Sequence, residues 1–227
     1  MPINNTIAFV CGKTGCGKSF LMNSLIQREY ELRRRAGIVI LDLHGDHLNV
    51  INHPEFRYLR VSGDMVRRYK FDWEGILKKY PYIIIETDKI DQAGYQKLGN
   101  DIAAALVEVR DRAFFLEEAH LCFPIHDTIR GGFGILVTTG RKLGIDFYFI
   151  TQRPSTVNTT AVSQANVRIS FVLDDINDLQ RMRGHFPPEV DLSSLKRFEF
   201  VGYNVFTHKM VKGSTDNVSV VDDLINN

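Results

Sequence analysis

The sequence predicts an α/β fold in which a mostly parallel central sheet is flanked by helices. Short segments rich in β-branched and aromatic residues recur along the chain, and the first five are almost continuously apolar, as is typical of strands covered on both faces. Helical segments lie between them, so strand and helix alternate as right-handed crossover connections require. The predicted strands span residues 6–11, 38–43, 82–85, 113–116, 147–150, 167–173 and 198–203.

Two predicted helices contain apolar residues that recur at steps of three or four positions. This spacing places the apolar side chains on one face, which we expect to cover the sheet. The residues are Leu98, Ile102, Leu106 and Val109 between positions 90 and 110, and Phe20, Leu21 and Leu25 in a shorter helix after Gly17.

The composition is that of a globular protein. Of the 227 residues, 44% are hydrophobic and 24% are charged, which excludes a disordered chain, a collagen and a disulfide scaffold. Lys and Arg together number 28 against 27 for Asp and Glu, so the net charge of +1 gives no overall attraction to a polyanion. Any contact with nucleic acid therefore requires a local basic patch.

The cysteines and the hydropathy pattern predict a cytosolic protein. Cys11, Cys16 and Cys122 are odd in number and lack paired metal-ligand spacing, which favours a reducing compartment. No apolar run approaches the roughly 18 residues that span a bilayer, and the first residues do not resemble a signal peptide.

Residues 12–19, Gly-Lys-Thr-Gly-Cys-Gly-Lys-Ser, match the P-loop pattern G-x-x-x-x-G-K-[ST] between a predicted strand and a predicted helix. The glycines let successive N–H groups point inward and the helix adds its positive end, so the loop predicts a cradle for the phosphates of ATP. Lys18 is expected to reach the β- and γ-phosphates, and Ser19 to offer its hydroxyl to Mg²⁺. The predicted nucleotide-binding residues are Gly12, Lys13, Thr14, Gly15, Cys16, Gly17, Lys18, Ser19 and Phe20.

Cys16 is interpreted as a small residue of this loop. Its position at the start of a helix also gives an alternative, in which the helix lowers the pKa of the thiol and makes it reactive.

A second part of the site is predicted at an apolar strand, residues 113–116, which ends in Glu117 and Glu118. In this Walker B candidate, Glu117 would hold Mg²⁺ through water, and Glu118 would orient and deprotonate the attacking water. Glu86 and Asp88 follow another strand and compete for the metal role, but they do not form an adjacent pair.

One domain is predicted over residues 1–227, with a motif core at about 5–175 and C-terminal strands and a tail at 176–227. The polar end, 214–227, is expected to be a frayed terminus, with a docking tail as the alternative.

Three further segments accompany the P-loop and the acidic pair. They are Asp42-Leu43-His44-Gly45-Asp46, Glu117-Glu118-Ala119-His120, and Gly140-Arg141-Lys142-Leu143-Gly144 leading into Phe149-Ile150-Thr151-Gln152-Arg153-Pro154. In this order the motifs closely resemble the HerA/FtsK superfamily of hexameric DNA-pumping ATPases, over about residues 5–175. The resemblance implies a RecA-like core with an extra strand between the two Walker motifs, Mg²⁺-dependent ATP hydrolysis, and assembly into a homo-oligomer, a hexameric ring.

The resemblance also implies roles for two further catalytic residues. Gln152 resembles the sensor that contacts the γ-phosphate or the attacking water, and Arg141 resembles the arginine finger that a neighbouring subunit inserts. The alternatives are a surface glutamine and an arginine that caps a helix end. Arg153 has a structural or a functional role. Glu117 stands where many P-loop ATPases have Asp, although relatives in this superfamily also carry paired glutamates.

The sequence also contains a group of histidines with an acid and three basic clusters. A metal site formed by His44, Asp46, His47 and His120 is rejected, because the family pattern explains Asp42, His44 and His120 without zinc, as polar groups around the nucleotide and the subunit boundary. Basic clusters at 33–35, 67–70 and 196–197 are interpreted as solvated faces rather than DNA contacts.

Within the superfamily, membrane segments, a winged helix or a β-barrel domain do not fit into 227 residues, so a bare motor is expected. By length and motif spacing the chain most resembles the genome-packaging ATPases of tectivirus-type phages. This implies pumping of double-stranded DNA into a procapsid, with the capsid vertex and its small membrane proteins as partners, in the host cytoplasm and the virion. The alternatives are a phage-extrusion ATPase similar to zonula-occludens-toxin-like proteins, another HerA/FtsK-like translocase, and a nucleotide-dependent switch.

Overall fold

The computed structural model describes residues 5–45, 47 and 53–225. The strands are β1 (Ile7–Cys11), β2 (Ile38–Asp42), β3 (Arg57–Ser62), β4 (Tyr82–Asp88), β5 (Arg112–Leu116), β6 (Ile145–Thr151), β7 (Val167–Phe171), β8 (Glu199–Asn204) and β9 (Met210–Ser214). They form one sheet in the order β3-β4-β2-β5-β6-β1-β7-β8-β9. Among the described strands, β8 pairs antiparallel with β7 and with β9, and the other pairs are parallel. The predicted α/β fold with a mostly parallel sheet is therefore confirmed.

Helices cover both faces of the sheet. They are α1 (Lys18–Leu32), α2 (Gly63–Arg68), α3 (Trp73–Lys79), α4 (Gln92–Val109), α5 (Ala119–Cys122), α6 (Gly131–Thr139), α7 (Thr159–Gln164), α8 (Ile176–Arg183) and α9 (Asp222–Ile225), with 3-10 turns at Gly140–Leu143, Pro154–Thr156 and Val218–Val221. Among the described residues, no helix has both the length and the apolar character needed to cross a membrane.

The core consists of two apolar layers, one on each face of the sheet. Alternate residues of β1 enter opposite layers, because side chains of a strand point to opposite faces. Phe9 packs in the layer that contains α3, α4 and α6, whereas Val10 packs in the layer that contains α1 and α9. Both residues are fully buried, which explains why the central strands are continuously apolar.

Two strands were not predicted, and both lie at the edges of the sheet. β3 is largely exposed and carries Arg57 and Arg60, and β9 has no buried residue. Edge strands are commonly charged and polar, since one side faces water, so neither has an apolar run in the sequence.

The C-terminal segment is folded against the sheet, so the expected frayed terminus is wrong for residues 214–225. Val221, Leu224 and Ile225 are buried in the layer beneath α1. The Leu224 carbonyl accepts a hydrogen bond of 2.7 Å from Asn204 Nδ2. The polar composition concealed these apolar contacts, which are spaced closely enough to form one short helical face.

The sheet order brings the predicted motifs to one edge. β6 pairs in parallel with β1 on one side and with β5 on the other, so one strand separates the P-loop from the acidic pair. Because the strands are parallel, the residues that follow β1, β2, β5 and β6 all emerge at the same edge.

Candidate nucleotide-binding site

The P-loop backbone follows β1 and curls over the start of α1. Gly12, Gly15 and Gly17 have φ angles of 150°, 72° and 107°, in the region that side chains disfavour. A Cβ atom at Gly12 would lie 2.6 Å from Phe171 Cβ, so β7 also excludes a side chain there. Lys13 N–H donates to the Val172 carbonyl at 3.1 Å, which fixes the loop to the end of β7.

The loop side chains bond to one another and to the end of β6. Lys18 Nζ donates to the Lys13 carbonyl at 2.8 Å, and the Thr14 hydroxyl donates to Gln152 Oε1. Lys13 Nζ lies 3.1 Å from Asp174 Oδ2. The P-loop and Gln152 are therefore brought together, as the sequence predicted for a site that shares them.

A cleft of about 340 Å³ lies between the loop and the ends of β5 and β6. It contains loop side chains on one wall and both predicted acids on the other. Its lining residues are Thr14, Gly15, Lys18, Ser19, His44, Glu117, Glu118, Ile150, Thr151 and Gln152.

Glu117 is buried at the end of β5, with 4% of its surface exposed. Its Oε2 accepts from Leu43 N–H at 3.3 Å, and its Oε1 lies 2.9 Å from His47 Nε2. Burial raises the pKa of Glu117, and the neighbouring His47 opposes that rise.

His47 links the acidic strand to the P-loop helix. Its Nδ1 hydrogen-bonds Asn23 Oδ1 of α1, and its N–H donates to Asp42 Oδ2 at 3.0 Å. Asp42 also accepts from the N–H groups of His44 and Gly45. Burial acts to raise the pKa of Asp42, but His47, Glu117 and the backbone donors together hold it below its usual value.

This contact between His47 and Glu117 was missed from the sequence. The sequence predicts polar groups close to the nucleotide in the segment after β2, but the only role considered there for the His47 imidazole is that of a metal ligand. Among the described residues, the side chains within metal-ligating distance of one another are Asp42, His47 and Glu117, not the four of the rejected cluster. Asp46, a member of that cluster, lies outside the described residues. Asp42 accepts from the backbone N–H groups of the turn and His47 lies 2.9 Å from Glu117 Oε1, so hydrogen bonding accounts for this group.

Glu118 follows directly and has a left-handed backbone, with φ 44° and ψ 51°. Such a conformation costs about 1–3 kcal/mol for a residue other than glycine and is concentrated at functional sites. Glu118 Oε2 lies 3.1 Å from His120 Nδ1, which also lies 3.2 Å from the Thr151 hydroxyl. His120 therefore joins Glu118 to the end of β6.

The remaining predicted residues lie outside the cleft. Arg141 precedes β6 and so occupies the opposite edge of the sheet, where its guanidinium lies 5.0 Å from the Phe206 ring centroid. This placement excludes Arg141 from the phosphate cleft of its own chain, and its action on a neighbour stays a prediction. Phe20 is exposed in the first turn of α1, and Arg153 is exposed beyond Gln152.

Cys16 is fully buried. Burial raises the pKa of its thiol, and the charge of Lys18 only partly offsets this rise. The alternative of an activated, low-pKa thiol at the helix start is therefore wrong, because desolvation outweighs the positive environment of the helix end.

Comparison with known proteins gives both sequence and structural relatives. Residues 8–90 match the family described as Helicase HerA, central domain. The chain is 26% identical to the DNA packaging ATPase P9 of Enterobacteria phage PRD1 over 224 residues, which cover 93% of this chain and 87% of that protein.

The structural relatives share the fold over nearly the whole chain. The genome packaging NTPase B204 of Sulfolobus turreted icosahedral virus 2, in complex with AMPPCP, has a TM-score of 0.69 at 16% identity and covers 93% of this chain and 98% of B204. The bacterial conjugative coupling protein TrwBdeltaN70 has a TM-score of 0.63 at 12% identity, covering 94% and 84%. Together with the motifs, these matches confirm the predicted resemblance to the HerA/FtsK-type ATPases with a RecA-like core, and among them to the viral packaging ATPases.

Proposed function

We propose that this chain is the ATP-hydrolysing motor that drives double-stranded DNA into a viral procapsid. The observation that carries the proposal is the single cleft shared by Lys18 and Ser19 of the P-loop and by Glu117 and Glu118. ATP hydrolysis needs this combination of a phosphate cradle and a facing carboxylate base. Packaging is supported by the relatives, since P9 and B204 are both named as packaging enzymes.

The cleft residues also fit Mg²⁺. The Ser19 hydroxyl and the Glu117 carboxylate line the same cleft and supply the hard oxygen atoms that this ion prefers. When bound, Mg²⁺ would neutralise charge on the phosphates during transfer.

In the proposed reaction, water attacks the γ-phosphorus and the bond to the β,γ-bridging oxygen breaks. Glu118 accepts the proton of the attacking water, in an orientation that His120 and the backbone of Glu118 maintain. Lys18 exchanges its bond with the Lys13 carbonyl for contacts with the β- and γ-phosphates, and Gln152 orients the water. Arg141 of a neighbouring subunit adds positive charge to the transition state.

We further propose that the chain acts as a homo-oligomeric ring, with six subunits, at the packaging vertex of the virion and in the host cytoplasm. Contact with DNA would be to phosphates, because a packaging motor moves every sequence in the genome. The capsid vertex and its small membrane proteins would be the docking partners.

Measurement of the ATPase rate with and without duplex DNA tests this function. We expect DNA to stimulate turnover and Glu118→Gln to abolish turnover while MgATP still binds, since an amide retains the shape but accepts no proton. Lys18→Ala should lose MgATP binding.

The other candidate functions give different outcomes in the same assay. An ATPase rate that does not change when DNA is added would favour an extrusion ATPase. ATP binding without hydrolysis would favour a nucleotide-dependent switch. A flat dependence of DNA affinity on salt would contradict contact with phosphates, since each one contributes about −0.9 to the slope of log affinity against log salt.

A further inference from the structure

Arg197 and Phe198 lie beside the P-loop on the side away from the acids. β8 runs antiparallel to β7, so its first residues lie at the same edge of the sheet as the P-loop. In the sheet, β5 and β6 lie on one side of β1, whereas β7 and β8 lie on the other. The turn before β8 therefore flanks the phosphate loop opposite Glu118.

Arg197 contacts the loop directly, and Phe198 lies next to it. Arg197 Nε donates to the Gly15 carbonyl at 3.2 Å. A Cβ atom at Gly17 would lie 3.4 Å from Phe198 Cδ1 and 2.6 Å from Thr215 Cγ2. The glycine at position 17 thus lets the segments before β8 and after β9 approach the point where α1 begins.

The backbone conformation of Phe198 does not bury its side chain in the core. The residue is 41% exposed, and its φ of 71° lies in the left-handed region, which is unusual for a bulky residue. The Phe198 carbonyl accepts from Thr215 N–H at 3.0 Å, and Glu199 N–H closes the turn on the Lys196 carbonyl at 3.0 Å. Two hydrogen bonds therefore maintain a strained backbone that presents an aromatic ring to solvent.

The Arg197 guanidinium lies over this ring, 4.6 Å from its centroid. Arginine and aromatic rings are the side chains on which flat nucleobases stack. Since Arg197 covers one face of the ring, the exposed fraction of Phe198 leaves surface for a second flat group.

We propose that Phe198 and Arg197 form the subsite for the purine base of the nucleotide. The inference rests on the proposed ATP hydrolysis, because it assumes that the γ-phosphate points toward Glu118. The P-loop then holds the phosphates between Glu118 and the turn before β8. The ribose and base extend from the phosphates toward β8. A base stacked there would lie beside the P-loop. The N–H groups of this loop would bind the phosphates of the same nucleotide.

Paired binding measurements test this subsite. Affinities for MgAMPPCP, which is not hydrolysed, and for magnesium tripolyphosphate, which has no base, are measured by calorimetry for the unaltered chain, Phe198→Ala, Phe198→Leu and Phe198→Tyr. We expect the Ala and Leu variants to lose roughly tenfold in AMPPCP affinity, the typical effect of removing one stacking ring, and to retain tripolyphosphate affinity. Phe198→Tyr keeps the ring and should keep both affinities.

A control lies away from the nucleotide cleft. Tyr69 is also an exposed aromatic residue and does not line the cleft, so Tyr69→Ala should leave AMPPCP binding unchanged. The subsite is overturned if Phe198→Leu binds AMPPCP normally, if it loses both ligands equally, or if Phe20→Ala alone causes the selective loss. If the unaltered chain binds neither ligand, the proposed function fails as well.

Discussion

At the scale of single residues, the position of Glu117 depends on a histidine from another motif. His47 is fully buried and joins Glu117 of β5 to Asn23 of α1. The imidazole therefore fixes the distance between the acidic strand and the helix that carries Lys18. A change at His47 acts on the site through Glu117, without contact to the nucleotide.

We predict that His47→Leu lowers kcat for ATP at least tenfold while the KM for MgATP changes less. Removal of His47 leaves Glu117 Oε1 buried without its side-chain donor, while Oε2 keeps the Leu43 N–H; this costs roughly 1–3 kcal/mol and should displace the carboxylate. His47→Gln keeps a donor and should restore part of kcat. Steady-state ATPase kinetics measure both, and equal losses for Leu and Gln would contradict a positioning role.

A second residue gives a pH dependence of stability. Burial, with the nearby charges of Arg168 and Arg181, lowers the pKa of His185 from 6.5 to about 4. Between these values the unfolded chain takes up a proton at His185 and the folded chain does not, so the free energy of unfolding falls as the pH is lowered from 6.5 to 4.

Urea unfolding at several pH values measures this effect. His185→Gln cannot take up the proton in either state, so its free energy of unfolding should fall less steeply over the same range. If the free energy of unfolding changes equally with pH in the two chains, the pKa of His185 is not lowered in the folded state.

At the scale of elements, the short helix α9 completes the layer that covers α1. A Cβ atom at Gly202 would lie 2.4 Å from Leu224 Cδ1, so β8 approaches α9 closely at this glycine. Arg28 Nε of α1 also pairs with Asp222 Oδ1 at 2.6 Å. The last residues of the described chain are thus part of the fold that supports the P-loop helix.

Leu224→Ala should lower the free energy of unfolding by about 2–5 kcal/mol, the usual cost of emptying a buried leucine site. Leu32 is a matched control, since it lies at the exposed end of α1 and Leu32→Ala should change stability little. Urea denaturation compares the two variants. Equal, small effects would indicate that α9 is detached in solution.

The same elements show what the sequence can predict. The continuous apolar strands, the P-loop and the acidic pair were predicted because each is encoded locally, by composition or by a fixed spacing. β3 and β9 were missed because edge strands need no apolar run, and α9 was missed because its partners, such as Gly202, lie far away in the sequence. The contact of His47 with Glu117 is likewise a product of the pairing of β2 with β5.

At the scale of the whole molecule, the predicted site residues fall at two opposite edges of the sheet. Lys18, Glu118 and Gln152 line one cleft, whereas Arg141 lies at the other end of β6. A complete site in the proposed mechanism therefore requires two subunits.

We predict that Lys18→Ala and Arg141→Ala assemblies are each inactive and that mixing them restores part of the ATPase activity. An Arg141→Ala subunit keeps its own P-loop and obtains an arginine from a Lys18→Ala neighbour. Lys142→Ala is the control, because this neighbouring exposed cation should not be needed. Background activity across the whole titration, with co-assembly shown by tagged pull-down, would return Arg141 to a structural role.

Strand β6 has a mechanical consequence for such a ring. Its seven residues are all buried, and it spans roughly 20 Å between Arg141 just before it and Gln152 just beyond it. A fully packed strand does not bend easily, so we expect β6 to move as a rigid unit. In the proposed ring, a displacement of Arg141 when the neighbour releases phosphate would be transmitted along β6 to Gln152. Hydrolysis at one interface would then be coupled to the next site through the stiffness of this strand.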